Sequence, residues 1–129
     1  MKQKEIKVLM VEPGKHPKVT TLGNELVALQ EAVSMGADQR GMIEIIGIEE
    51  GICILCNEEG KIIGLEGNRR LGNEILAGVF YVVGEDGRGN LISLPEAAME
   101  KYKQRFWQPE TFDYGEVEAS VVAYFGYGW

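Results

Sequence analysis

A chain of 129 residues with 45% hydrophobic and 26% charged side chains can bury one sizeable core, which excludes a disordered, collagen-like or disulfide-stapled chain. Thirteen basic against twenty acidic residues give a net charge of -7, which works against nonspecific attraction to a nucleic-acid backbone. The longest nearly apolar run, Ile75 to Gly84, is far too short to span a bilayer as a helix, and the charged start Met1 to Lys7 is no signal peptide, so a soluble, cytoplasmic protein without membrane contact is expected.

Glu5 to Glu12 alternates, with Ile6, Val8 and Met10 on one face and Leu9 and Val11 on the other, and reads as a central strand closed by Pro13-Gly14. The loop that follows presents Lys15, His16 and Lys18 ahead of a short edge strand at Val19 to Thr21. Leu22, Leu26, Leu29 and Val33 then fall on one helix face, with Asn24 as N-cap and Gly36 as stop. Met42 to Ile48 is strand-like, and Glu49-Glu50-Gly51 turns it into a second, buried strand read over Gly51 to Asn57. A tight turn at Asn57 to Gly60, with Gly60 left-handed, leads to a third strand at Lys61 to Leu65. Leu76 to Val83 is another apolar strand, joined by a glycine-rich turn to Leu91-Ile92.

Ser93-Leu94-Pro95-Glu96 has capping-box spacing and opens a helix whose apolar face is Leu94, Ala98, Met99, Tyr102 and Phe106, stopped by Trp107-Gln108-Pro109. These elements predict one α+β domain over residues 1–113, an antiparallel or mixed sheet of about five to seven strands with two helices packed on one face. Residues 114–129 form an apolar, strand-prone extension. Its stretch from Val117 to Trp129 either adds a strand to the sheet or pairs between chains, so a homo-oligomer, most simply a twofold dimer, is expected.

Cys53 and Cys56 spell C-x-x-C, but on a strand residues three apart point to opposite faces and cannot bridge. With His16 the sole histidine, metal ligands are too few, so two buried free thiols and no metal or cofactor are expected. Catalytic signatures are missing as well. No phosphate loop, dinucleotide fingerprint or nucleophile elbow occurs, and a triad would have to join His16 to Ser34, Ser93 or Ser120. Glu58 and Glu59 form a carboxylate pair, but in a turn beside Gly60 they read as solvated residues.

Charge is uneven: residues 1–22 sum to +3, residues 23–68 to -7 and residues 69–129 to -3. Asn68-Arg69-Arg70 places two guanidinium groups between predicted strands, a grouping suited to phosphate or carboxylate. If this group converges with Lys15, His16 and Lys18 at one end of the sheet, the six residues make a basic ligand pocket on an acidic protein.

Val11-Glu12-Pro13-Gly14-Lys15, Cys56 to Lys61, Gly64-Leu65 with Asn68-Arg69, and Ala77 to Phe80 together resemble a family of small uncharacterised bacterial proteins, a domain of unknown function carried by phages and conjugative elements. The resemblance runs over residues 5–113. Glu66-Gly67 departs from the double proline of that family, and the segment after Asp113 lies outside it. The resemblance carries no active site. It implies a mobile-element accessory protein, for which interference with host defence is a common occupation. The expected function is therefore non-enzymatic binding that inhibits a host defence system. Either an anionic nucleotide signal is sequestered in a basic pocket between protomers, or the acidic stretch Asp38 to Glu66 meets a positively charged surface of a host protein; the alternative is a small nucleotide or phosphoester hydrolase.

Overall fold

The computed structural model describes residues 3–113 and 115–117. In chain order the elements are β1 (Glu5–Val11), β2 (Lys18–Gly23), α1 (Leu26–Val33), β3 (Ile43–Glu49), β4 (Ile52–Asn57), β5 (Gly67–Leu71), β6 (Glu74–Ala77), β7 (Phe80–Glu85), β8 (Leu91–Ile92) and α2 (Glu96–Arg105). Six strands form one sheet in the order β2-β1-β7-β4-β3, with β8 also paired to β7, while β5 and β6 make a separate hairpin. Every pairing is antiparallel, and the class is α+β.

Both faces of the sheet are apolar, because β4 and most of β1 and β7 are buried at successive residues. Two covers are therefore needed, and the helices take opposite faces rather than the single face expected from the sequence. Leu9, Val11, Ile54, Phe80 and Val82 pack with Met99 and Tyr102 of α2 and with Phe106 at its C-cap. Ile6, Val8, Met10, Leu55 and Val83 pack with Leu29 and Val33 of α1. The predicted alternation of β1 is thus borne out. Cys53 and Cys56, both free and buried, likewise fall in opposite layers.

Several local expectations give way to longer-range bonds. No strand forms at Lys61 to Leu65: Asn57 Oδ1 accepts the Glu59 N–H, and Ile63, Gly64 and Leu65 donate to Glu59, Lys61 and Gly60, coiling the chain through successive turns. The free side of β4 is taken by β7 instead. Gly64, at φ 80°, rather than Gly60, is the left-handed residue; a Cβ at Gly60 would meet the Ala77 carbonyl at 2.8 Å. The predicted strand Leu76 to Val83 is broken at Gly78, also at φ 80°, so its first part pairs with β5 and its second joins the main sheet.

Asn24 and Ser93 cap nothing. Asn24 Nδ2 donates to the carbonyls of Gln3 and Leu91, and Ser93 Oγ accepts the Lys7 N–H, so both polar side chains are committed across the fold. Leu26, in the predicted apolar stripe of α1, is exposed. Residues 115–117 are helical, with Asp113 Oδ1 accepting the Glu116 N–H, rather than the beginning of a strand. Val117 is buried against Gly67, so the start of the predicted extension packs on the domain itself. Residues 118–129 of that extension lie outside the described residues.

Candidate functional site: a braced cationic and aromatic corner

β1 ends under Glu12, and Gly14 at φ 73° with a Lys15 N–H to Glu12 carbonyl bond of 3.2 Å reverses the chain toward β2. The turn puts His16 beside the end of α2. Its imidazole stacks on the Trp107 indole with ring centroids 4.0 Å apart and planes 9° from parallel. His16 Nδ1 lies 2.6 Å from the Trp107 carbonyl. Because a carbonyl can only accept, this contact places the proton on Nδ1 and leaves Nε2 for another partner. Trp107 remains 45% exposed. A depression of about 310 Å³ beside the indole is lined by Glu100, Lys103 and Gln104.

Arg69 holds this corner from inside. Its side chain has no exposure, and it donates from Nε to the Phe106 carbonyl at 3.0 Å, from Nη2 to the Lys15 carbonyl at 2.6 Å, and from Nη1 to Asn68 Oδ1 at 2.7 Å and the Asn68 carbonyl at 3.2 Å. Asn68 continues the network, with Nδ2 donating to the carbonyls of Val11 and Gly78, each at 2.8 Å. Among the described residues no carboxylate forms an ion pair with Arg69. Burial pushes its pKa down, Glu110 opposes the shift from a distance, and a guanidinium stays charged regardless. Its acceptor at Phe106 is a carbonyl at the end of α2, the negative pole of the helix dipole, which favours a cation there.

The six residues singled out from the sequence thus divide. Lys15 and His16 converge at the surface of the corner. Lys18 joins them through Glu12, whose two carboxylate oxygens lie 3.3 Å from the Lys15 ammonium and 3.5 Å from that of Lys18. Two well-exposed ammonium groups therefore share one carboxylate, leaving a local excess of positive charge. Asn68 and Arg69 are buried, with their polar atoms spent inside the chain, so they position the corner rather than line it. Arg70 points away, as the regular register from Arg69 onward directs. Its guanidinium lies 5.2 Å from the centre of the Phe112 ring, and its backbone N–H donates to Glu110. Arg69 thus meets the Lys15 loop from beneath while Arg70 does not, and the six residues do not line one basic pocket.

Trp107 was missed by sequence reasoning, which saw only a helix stop. Its signal was available: Lys103 and Trp107 are four residues apart, so a helix extended by one turn places them on one side. Glu58 and Glu59, by contrast, are exposed turn residues.

The profile of a domain of unknown function, DUF3846, matches residues 6–107. The chain belongs to this family. The matched span holds every strand of both sheets apart from Glu5 at the start of β1, together with α1, α2 and the whole corner, Trp107 being its last residue. No curated protein and no solved structure matches the DUF3846 chain.

Proposed function

We propose that this protein is a non-enzymatic binding protein that captures an anionic nucleotide at the Trp107 corner. Its setting, on this reading, is a phage or other mobile element, where sequestering a nucleotide signal inhibits a host defence system. The observation that carries the reading is the exposed His16–Trp107 stack beside Lys15 and Lys18. A nucleobase stacks on the indole, and such stacking contributes about 1–3 kcal/mol per base. The excess ammonium charge at Lys15 and Lys18 meets the phosphates, and a depression of about 310 Å³ bounded by Lys103 and Gln104 leaves room for a ligand of this kind. The Arg69 brace fixes the platform before the ligand arrives, which lowers the ordering cost of binding.

The test is calorimetry and tryptophan quenching against a panel of cyclic and linear nucleotides. At least one should bind below ~100 μM, and Trp107→Ala should weaken it by roughly five- to a hundredfold, the stacking energy expressed as a ratio. Lys15→Ala should weaken it less and make the remaining affinity less salt-dependent. Ligand recovered unchanged after denaturing the protein supports sequestration, whereas recovery of a cleaved product supports the hydrolase. A panel without a binder would eliminate the nucleotide reading.

A further inference from the structure

The sheet order leaves two outer edges, β2 and β3. β2 follows Pro17 and begins with Lys18, features that discourage a further strand from joining. β3, with the sequence IEIIGIE, has neither lysine nor proline. Its inner side pairs with β4 in regular register from Ile43↔Asn57 to Gly47↔Cys53, with a register shift before Glu49↔Ile52, and the outer ladder of the regular part has no strand partner among the described residues. Ile45, opposite the fully buried Leu55, is itself 47% exposed, and Met42 at the head of the strand is exposed as well. α1 covers the core beneath Leu55 and reaches the head of β3, where Gln30 Nε2 lies 3.3 Å from Met42 Sδ, but it leaves Ile45 exposed.

Charge selects the occupant. Residues 38–66 hold seven acidic side chains and two basic ones, Arg40 and Lys61. Both cations already have carboxylates within the chain: Arg40 lies 3.7 Å from Glu31, and Lys61 lies 3.2 Å from Glu74. Acids also mark both ends of the strand. Glu50 is exposed just past its last residue, and exposed Glu58 is tied to its head by a Glu58 N–H to Met42 carbonyl bond of 2.9 Å. A second copy would bring the same carboxylates and a further charge of -7 to this edge. An extended segment alternating apolar and basic residues would instead complete the ladder, cover Ile45 and neutralise Glu50 and Glu58.

We infer that β3 is a docking strand for an extended basic segment of a partner protein, added antiparallel or parallel to its open edge. This surface gives the acidic stretch of the sequence a defined mode of recognition, and it stands independently of the nucleotide site. The probe is a fluorescent nine-residue peptide alternating Lys and Val, followed by anisotropy with the full chain. A companion peptide of identical charge carries N-methyl groups on alternate residues, which removes its ladder donors. The unmethylated peptide should bind, the methylated one at least tenfold more weakly, and Ile45→Lys should weaken the first peptide at least tenfold with the circular dichroism unchanged. Trp107→Ala should leave peptide binding intact, which separates a failure here from failure of the nucleotide reading. Equal binding of both peptides would reduce the edge to diffuse charge attraction. No binding, or a dimer by light scattering that Ile45→Lys dissociates, would overturn the proposal.

Discussion

Arg69→Met tests whether the corner is held from inside. The substitution keeps an unbranched apolar stem but removes donors to the carbonyls of Phe106, Lys15 and Asn68 and to Asn68 Oδ1. Exchanging a whole buried ion pair for apolar groups is often neutral, but here the acceptors stay behind, fixed in the backbone. A buried acceptor left without a donor costs about 1–3 kcal/mol. Lys15 sits on an exposed loop, so water can reach its carbonyl once the loop loosens, whereas Phe106 and Asn68 are buried. Two dry acceptors, partly offset by relief from burying a charge, set the expected loss at about 3 kcal/mol, a large part of the roughly 5–15 kcal/mol that holds a domain together.

Urea denaturation followed by circular dichroism measures this loss. With a slope of about 1–3 kcal/mol per molar, the midpoint should fall by about 1–3 M. Arg69→Lys, which keeps the charge but not the fork, should recover less than half of the loss. Amide exchange at Lys15 and His16 should accelerate in both variants, because the loop has lost its anchor. A midpoint within ~0.3 M of the parent, with exchange in the loop unchanged, would refute the brace.

The Cys56 thiol predicts weakening in alkali. Burial, with Glu44 and Glu74 adding to it, pushes its pKa up to about 12, against about 8.5 for a free thiol. Its contribution is whole below the unfolded value and drains away as pH rises toward the folded one, so Cys56→Ala should flatten the fall in urea midpoint above pH ~8.5, by about 1 kcal/mol at pH ~9.5. Tyr81 and Tyr102, both also raised to about 12, add their loss only above the ordinary tyrosine range near 10. Gly78→Ala should destabilise by about 1–2 kcal/mol for its left-handed backbone, plus the displacement of Leu65 Cδ1, 2.7 Å from the new Cβ. Gly87→Ala, at φ 83° with nothing within 4 Å, should cost the backbone part alone, so thermal unfolding of the two variants isolates the Leu65 contact.

Elements whose bonds run to sequence neighbours were legible. The alternation in β1, the β3–β4 hairpin at Gly51 and the β7–β8 hairpin all follow from period and turn chemistry. Elements decided by distant partners were not. Ser93 bonds to Lys7, 86 residues away, and Asn24 to Leu91, 67 residues away, although each carries the local marks of a helix cap. Between β4 and β5 the error had one origin: the Asn57 side chain captures the Glu59 N–H, so the chain coils where Ile62-Ile63 promised a strand.

That displaced strand also explains how the site was misread. With 61–65 taken as the strand, Asn68-Arg69-Arg70 became a connection free to offer both guanidinium groups to a ligand. Once 67–71 is the strand, parity decides past the register shift between Gly67 and Arg69: Arg69 and Arg70 face opposite ways, so one arginine enters the protein and the other leaves it. Entry suits a group that can reach acceptors lying apart, as the planar guanidinium does with donors on three nitrogens, whereas an ammonium gathers its three donors on a single nitrogen. Arg69 therefore joins the loop after β1, the hairpin and the end of α2, none of them neighbours in sequence. A substitution there loosens the fold and the corner together and cannot report on ligand contact. Recognition has to be measured at Trp107 and Lys15, whose exposed side chains can change while the brace beneath them stays intact.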